Sequence, residues 1–114
     1  MLSEAACRNA VWNRDESCDR ATGRELIRGS DQYIYIGEVH HLRGRRVEPK
    51  WKRDPDHQVL LWVGHHRLAQ GVIGGKLLLL LDPEDPTMPA TDATRPILFV
   101  RRDRHGVELW RTVR

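Results

Sequence analysis

The spacing of apolar and polar residues predicts one N-terminal helix followed by several short strands. The stretch Ser3–Asn13 opens with a residue type that caps helices, and its apolar residues recur at helical spacing, so we predict a helix. From Tyr33 to Leu42 the pattern changes to a β-prone run. We therefore predict a strand over Tyr33–Leu42, with a bulge at Gly37.

The pattern that follows predicts further short elements separated by turns. They are, in chain order, a strand at 59–63 ended by Gly64, a short helix at 65–70 stopped by Gly71 or Gly74-Gly75, a strand at 76–81, and a hairpin made of 97–100 and 107–110. Two stretches with several prolines, Arg43–Asp56 and Asp82–Arg95, are predicted to be exposed loops. The strand at 76–81 is too short to cross a bilayer.

The length and the net charge of the chain narrow the possible folds and partners only slightly. With 114 residues, the chain is predicted to form a single domain, 1–114. The formal net charge is +3, and Arg contributes most of the positive charge. Because the planar guanidinium matches phosphate oxygens, this composition suits nucleic acid. A mixed, solvated surface with a small basic excess is the alternative.

The cysteine content and the N-terminus favour a cytoplasmic protein. Cys7 and Cys18 are too few for a disulfide framework or for a zinc site of four thiolates. No basic segment followed by an apolar stretch opens the chain, as a signal peptide would require. We expect reduced thiols and no membrane partner.

Five of the six histidines lie between His40 and His66. Imidazole is the commonest metal ligand and the commonest general base near neutral pH. A strand ending in His40-His41 and a helix opening with His65-His66 would bring these groups to one place, which favours a chemical site. The alternative interpretation is that several of them are solvated loop histidines.

Four segments resemble the core of the HNH (His-Me finger) endonuclease family, in its phage-type small form. They are Val11–Arg20, Glu38–Leu42, Asp54–Trp62 and His65–Leu68. Pairs of histidines are frequent in proteins, but the ordered set of four is more specific, and it covers residues 8–72. The resemblance implies an α+β fold with a ββα-metal core at 8–72, an N-terminal helix, and a C-terminal β-hairpin within the strands of 76–114.

The resemblance also implies the role of each histidine. His40 and His66 would hold one divalent metal ion (Mg, Mn, Ni or Zn), and His41 would be the general base in hydrolysis of a DNA phosphodiester bond. Neighbours on a strand point to opposite faces, and the family's backbone distorts at this pair. Neighbours on a helix point about 100° apart, and the family pattern selects His66 rather than His65 for the metal.

The sequence departs from the family at two places. Where the family usually has the Asn that steadies the general base, this chain has His57, which makes His57 the candidate for that catalytic role. Many relatives bind a structural zinc with four cysteines, and the matching positions here are Cys18, Ala21, Trp62 and His65. Two plausible ligands do not close a zinc site, so we predict no structural zinc and expect Trp62 to fill the space.

A cluster of Arg and Lys side chains predicts contacts with DNA phosphates. These DNA-binding candidates are Arg43, Arg45, Arg46, Lys50, Lys52, Arg53 and, on the short helix, Arg67. The alternative is a solvated linker anchored by Trp51.

Three functions remain open from the sequence. The first is a metal-dependent endonuclease, for which the resemblance implies a phage or bacterial origin and phage packaging proteins as partners. The second is a catalytically degenerate module of HNH fold that binds nucleic acid or another partner. The third is a toxin-type nuclease neutralised by an acidic partner.

Overall fold

Helix α1 spans Glu4–Arg14 in the computed structural model, which describes residues 2–28, 36–42, 51–81 and 87–114. The Ser3 hydroxyl accepts the Ala6 N–H at 3.1 Å and caps the first turn. The buried residues of this helix are Cys7, Val11 and Trp12. The predicted N-terminal helix is therefore confirmed, and it presents an apolar face to the strands that follow.

Strands β1 (Gly37–His41) and β2 (Gln58–Trp62) form an antiparallel pair. The pairing runs without interruption from Gly37 opposite Trp62 to His41 opposite Gln58, so the bulge predicted at Gly37 is wrong. Glycine is needed there for packing, because a Cβ would lie 2.7 Å from the Trp12 ring. The predicted strand ends one residue early, and its positions 33–35 lie outside the described residues.

Helix α2 spans Val63–Gln70 and follows β2 without a connecting loop. We expected Gly64 to end the strand and the helix to begin at His65, but Gly64 lies in the first helical turn. A Cβ on Gly64 would lie 2.4 Å from the Trp62 ring, so packing accounts for this glycine. The helix ends before Gly71, as predicted.

A second antiparallel sheet has the strand order β3-β4-β5. Its strands are β3 (Lys76–Leu81), β4 (Ile97–Arg102) and β5 (Glu108–Val113). The third strand and the C-terminal hairpin are confirmed, although β5 starts one residue later than expected. The Asp103 carboxylate accepts the N–H groups of His105 and Val107 at 2.8 and 3.0 Å, which keeps Val107 in the turn. Part of the predicted loop Asp82–Arg95, residues 82–86, lies outside the described residues.

Strand β2 is buried on both faces and joins two apolar clusters. Val59 and Leu61 pack with Leu68 of α2 and with the second sheet. Leu60 points the other way and packs against α1 through Val11 and Trp12. The β1–β2 pair therefore lies between α1 on one side and α2 with the second sheet on the other. Among the described residues, no helix is long and apolar enough to span a membrane.

Candidate functional site

The two histidines at the end of β1 lie on opposite faces of the strand pair. His40 is opposite Val59, and His41 is opposite Gln58, in regular register. Cross-strand partners share a face, so His40 lies on the α2 side and His41 on the α1 side. The backbone distortion implied by the family is not seen in this pairing.

His40 lies beside His66 of α2. The centroids of the two rings are 5.2 Å apart, and one ring meets the other edge-on at 73°. Burial, together with the nearby His66 and His41, lowers the pKa of His40 to about 3. His40 is therefore neutral near pH 7, which is the form that binds metal ions.

Glu38 fixes the other side of the His66 ring. Its Oε1 lies 3.0 Å from His66 Nδ1. A carboxylate oxygen accepts this hydrogen bond, so Nδ1 of His66 is the donor and Nε2 is the nitrogen that could bind a metal ion. Carboxylates hold metal-ligating histidines in this way in many proteins. Sequence reasoning missed Glu38, although its position two residues before His40 puts it on the same strand face.

His41 contacts the segment that precedes β2. Its Nε2 lies 3.3 Å from the Lys52 carbonyl oxygen. A carbonyl only accepts, so this contact puts the proton on Nε2 and the basic lone pair on Nδ1. His41 and His66 both line a cavity of about 380 Å³ between α1 and β1, with Arg8, Arg28 and Lys52 also on its wall.

The side-chain contacts of His57 lead away from β1, while its backbone carbonyl accepts the Leu42 N–H at 2.9 Å just after β1. Its Nδ1 lies 2.6 Å from the Thr91 carbonyl, and its ring stacks on Trp51 at a centroid distance of 3.9 Å. The Ala93 N–H also donates to the Asp56 carbonyl at 2.7 Å, so this turn and the segment before β4 are joined. The role of His57 in steadying His41 stays a prediction.

The four positions that match the family's zinc ligands have different surroundings here. Ala21 is buried in the core, and the Cys18 thiol donates to the Glu16 carbonyl at 3.3 Å. His65 Nδ1 donates to Asp19 Oδ2 at 2.6 Å, and this carboxylate is almost fully buried. The edges of Trp62 and Trp110 contact the His65 ring at centroid distances of 5.1 and 5.8 Å.

The described residues hold no group of three or more His, Cys, Asp and Glu side chains arranged for a metal ion. His40 and His66 form a pair only. Two imidazoles nevertheless suit a divalent transition ion that takes its other ligands from water or substrate. The donor chemistry therefore fits one metal ion at this pair. The absence of a structural zinc stays a prediction.

The structure describes only part of the DNA-binding set. Arg43, Arg45, Arg46 and Lys50 lie outside the described residues. The Lys52 ammonium lies 3.2 Å from the Glu4 carboxylate, and both side chains are partly exposed. Arg53 and Arg67 are exposed. Contacts of these cations with DNA stay a prediction.

Comparisons with known proteins give no relatives. No family model matches the sequence, and neither the curated proteins nor the solved structures include a significant match. Function must therefore be inferred from the side chains of this chain.

Proposed function

We propose that this protein is a metal-dependent DNA endonuclease whose ββα-metal core is made of β1, β2 and α2. The observation that carries the proposal is the pairing of His40 with His66 beside His41. The ring centroids of His40 and His66 are 5.2 Å apart, and Glu38 is hydrogen-bonded to Nδ1 of His66. His41 follows His40 directly and lines the adjacent cavity. The pairing of a strand histidine with a helix histidine is what the HNH resemblance implies for the metal ligands, and it supports the proposal.

His41 is the proposed general base. With its Nε2 proton directed at the Lys52 carbonyl, its Nδ1 lone pair takes the proton of the attacking water. The wall of the cavity that His41 lines carries three cations, Arg8, Arg28 and Lys52, against two carboxylates, Glu4 and Glu38, and this small positive excess supports a phosphodiester substrate.

His40 and His66 are the proposed holders of one divalent ion. The low pKa of His40 keeps its imidazole neutral, and the hydrogen bond from His66 Nδ1 to Glu38 leaves Nε2 as the nitrogen proposed to bind the ion. When bound, such an ion stabilises negative charge on the phosphate and on the departing 3′ oxygen. The proposed setting is the cytoplasm of a bacterium or of a phage-infected cell, with phage packaging proteins as partners.

A catalytically degenerate binding module is the second candidate. The observation that favours it is the engagement of His57 with Thr91 and Trp51 at the position where the family usually has Asn. In this case the protein would bind DNA and leave it intact.

Nicking of supercoiled plasmid tests the proposal. Wild type is compared with His41→Ala in Mg²⁺, Mn²⁺, Ni²⁺ or Zn²⁺ and with a chelator, and His105→Ala, in the exposed β4–β5 turn, is the matched control. We expect metal-dependent nicking that His41→Ala abolishes and that His105→Ala retains. His66→Ala should weaken metal binding in calorimetry. Folded wild type that binds DNA without cleaving it in any ion would refute the nuclease and favour the binding module.

A further inference from the structure

Gln58 is a buried amide in a strand of apolar residues. It is 1% exposed and lies directly opposite His41 in the β1–β2 ladder. A buried amide without hydrogen-bond partners destabilises the fold, so the partners of Gln58 explain why this position is polar.

The amide of Gln58 has partners on both of its polar atoms. Its Nε2 donates to the Lys52 carbonyl at 3.0 Å and lies 3.4 Å from the Trp51 carbonyl. Its Oε1 accepts from the Cys7 thiol of α1 at 3.4 Å. Carbonyls only accept, so the NH₂ group must face them and the amide has one orientation. Burial raises the pKa of the Cys7 thiol, which keeps the proton that the thiol donates.

The Lys52 carbonyl is shared between Gln58 and His41. It lies 3.0 Å from Gln58 Nε2 and 3.3 Å from His41 Nε2. A carbonyl oxygen has two lone pairs and therefore accepts both hydrogen bonds. Because this oxygen accepts from the Nε2 side of His41, its position favours the tautomer with the proton on Nε2.

The segment that carries this carbonyl is also held by the end of α1. Arg14 donates to the carbonyls of Pro55 and Gln58 at 2.6 and 2.5 Å. The buried Asp15 carboxylate accepts from Arg14 and from the Leu60 N–H, both at 2.9 Å. The backbone around Lys52 is therefore attached to α1 through Arg14 and Asp15, while the amide of Gln58 holds the carbonyl itself.

We propose that Gln58 is the positioning residue of His41, acting through the Lys52 carbonyl, with Cys7 fixing the orientation of its amide. The inference rests on the proposed function, because it assigns a partner to the general base. It also assigns different roles to two neighbouring residues, His57 in the turn before β2 and Gln58 at the start of β2. His57 joins the turn to the segment before β4, and Gln58 sets the tautomer of His41.

The decisive experiment measures that tautomer in the metal-free protein. Gln58→Met keeps the length of the side chain and removes the amide. Nitrogen-15 NMR of the histidine rings is recorded at about pH 8, where a histidine with an ordinary pKa is neutral. We expect wild-type His41 to be the Nε2–H form and Gln58→Met to show a mixture of both forms. His65, whose Nδ1 proton is held by Asp19, is the internal reference and should not change.

A matched control separates positioning from simple destabilisation. Leu60→Val alters the same face of β2 and does not remove a hydrogen bond to Lys52, so it should leave the His41 tautomer unchanged. Should Gln58→Met fail to fold, Gln58→Asn retains a buried amide that is too short to reach the carbonyl, and it should show the same mixture. Cys7→Ala should move the tautomer in the same direction by a smaller amount.

Kinetics give a second readout that distinguishes this inference from the proposed function. Loss of a residue that orients a functional side chain without touching substrate commonly lowers activity about 10- to 100-fold. Gln58→Met should lower kcat by that factor, with KM and metal affinity unchanged. A folded variant with an unchanged His41 tautomer would overturn the role of Gln58, whatever its activity. Wild type that does not cleave DNA would overturn the nuclease, while the NMR comparison would still decide whether Gln58 positions His41.

Discussion

The substitution His65→Ala removes the shortest hydrogen bond to a buried carboxylate. Asp19 is 1% exposed, and its side chain accepts from His65 at 2.6 Å, from Thr22 at 3.0 Å and from Ala21 at 3.1 Å. Removal of one hydrogen-bond donor from a buried acceptor costs about 1–3 kcal/mol, and more when the acceptor is charged. Because Asp19 keeps two other donors, we expect His65→Ala to lower the free energy of unfolding by about 3 kcal/mol.

Urea unfolding followed by tryptophan fluorescence measures this loss, because Trp62 and Trp110 lie against the His65 ring. The matched control is His105→Ala, an exposed histidine whose removal should change stability by less than about 0.5 kcal/mol. Combining Asp19→Asn with His65→Ala tests the pairing itself. The double variant should lose less than the sum of the two single losses, because the amide has no charge that needs the imidazole.

Two results would refute this reasoning. A His65→Ala protein as stable as the His105→Ala control would mean that Asp19 does not depend on His65. Single losses that add up in the double variant would mean that the two side chains stabilise the fold independently.

Two further predictions concern the thiols and the metal. Cys7 is buried and its pKa is raised, so a thiol reagent should modify Cys18 much faster than Cys7 in the folded protein. Peptide mapping identifies the labelled cysteine, and rapid labelling of Cys7 would contradict its burial. Dialysis against a chelator should abolish plasmid nicking and leave the melting temperature unchanged, because the only metal ion expected is the one at His40 and His66. A fall in melting temperature that added zinc reverses would reveal a structural zinc site.

Local sequence rules predicted the elements whose boundaries depend on local chemistry. Ser3 caps α1, and a run of leucines after Gly75 forms β3. The predictions at Gly37 and Gly64 were wrong because tertiary packing, and not local backbone conformation, requires glycine at these positions. Gly37 and Gly64 carry the signature of a bulge and of a strand end, yet each is required because an aromatic ring occupies the place of its Cβ.

The candidate site shows the same division. The order of the histidines along the chain, and the family resemblance based on it, predicted that His40 and His66 lie close together. Glu38 could have been predicted from the alternation of side chains along a strand, because it lies on the same face as His40. Asp19 and Gln58 could not, because the contact between Asp19 and His65 spans 46 residues and that between Cys7 and Gln58 spans 51. Nothing local in the chain marks such partners.

The opposite orientation of His40 and His41 has a consequence for how this protein can change during evolution. His40 contacts α2 through His66, and His41 is linked to α1 through the Lys52 carbonyl, Gln58 and Cys7. Under the proposed roles, mutations behind one face would leave the other histidine in place. A descendant could then lose the proposed base and keep the proposed metal-binding pair, or lose that pair and keep the base. Inactive relatives of this chain should accordingly fall into two distinct kinds, recognisable by which of the two supporting sets has decayed.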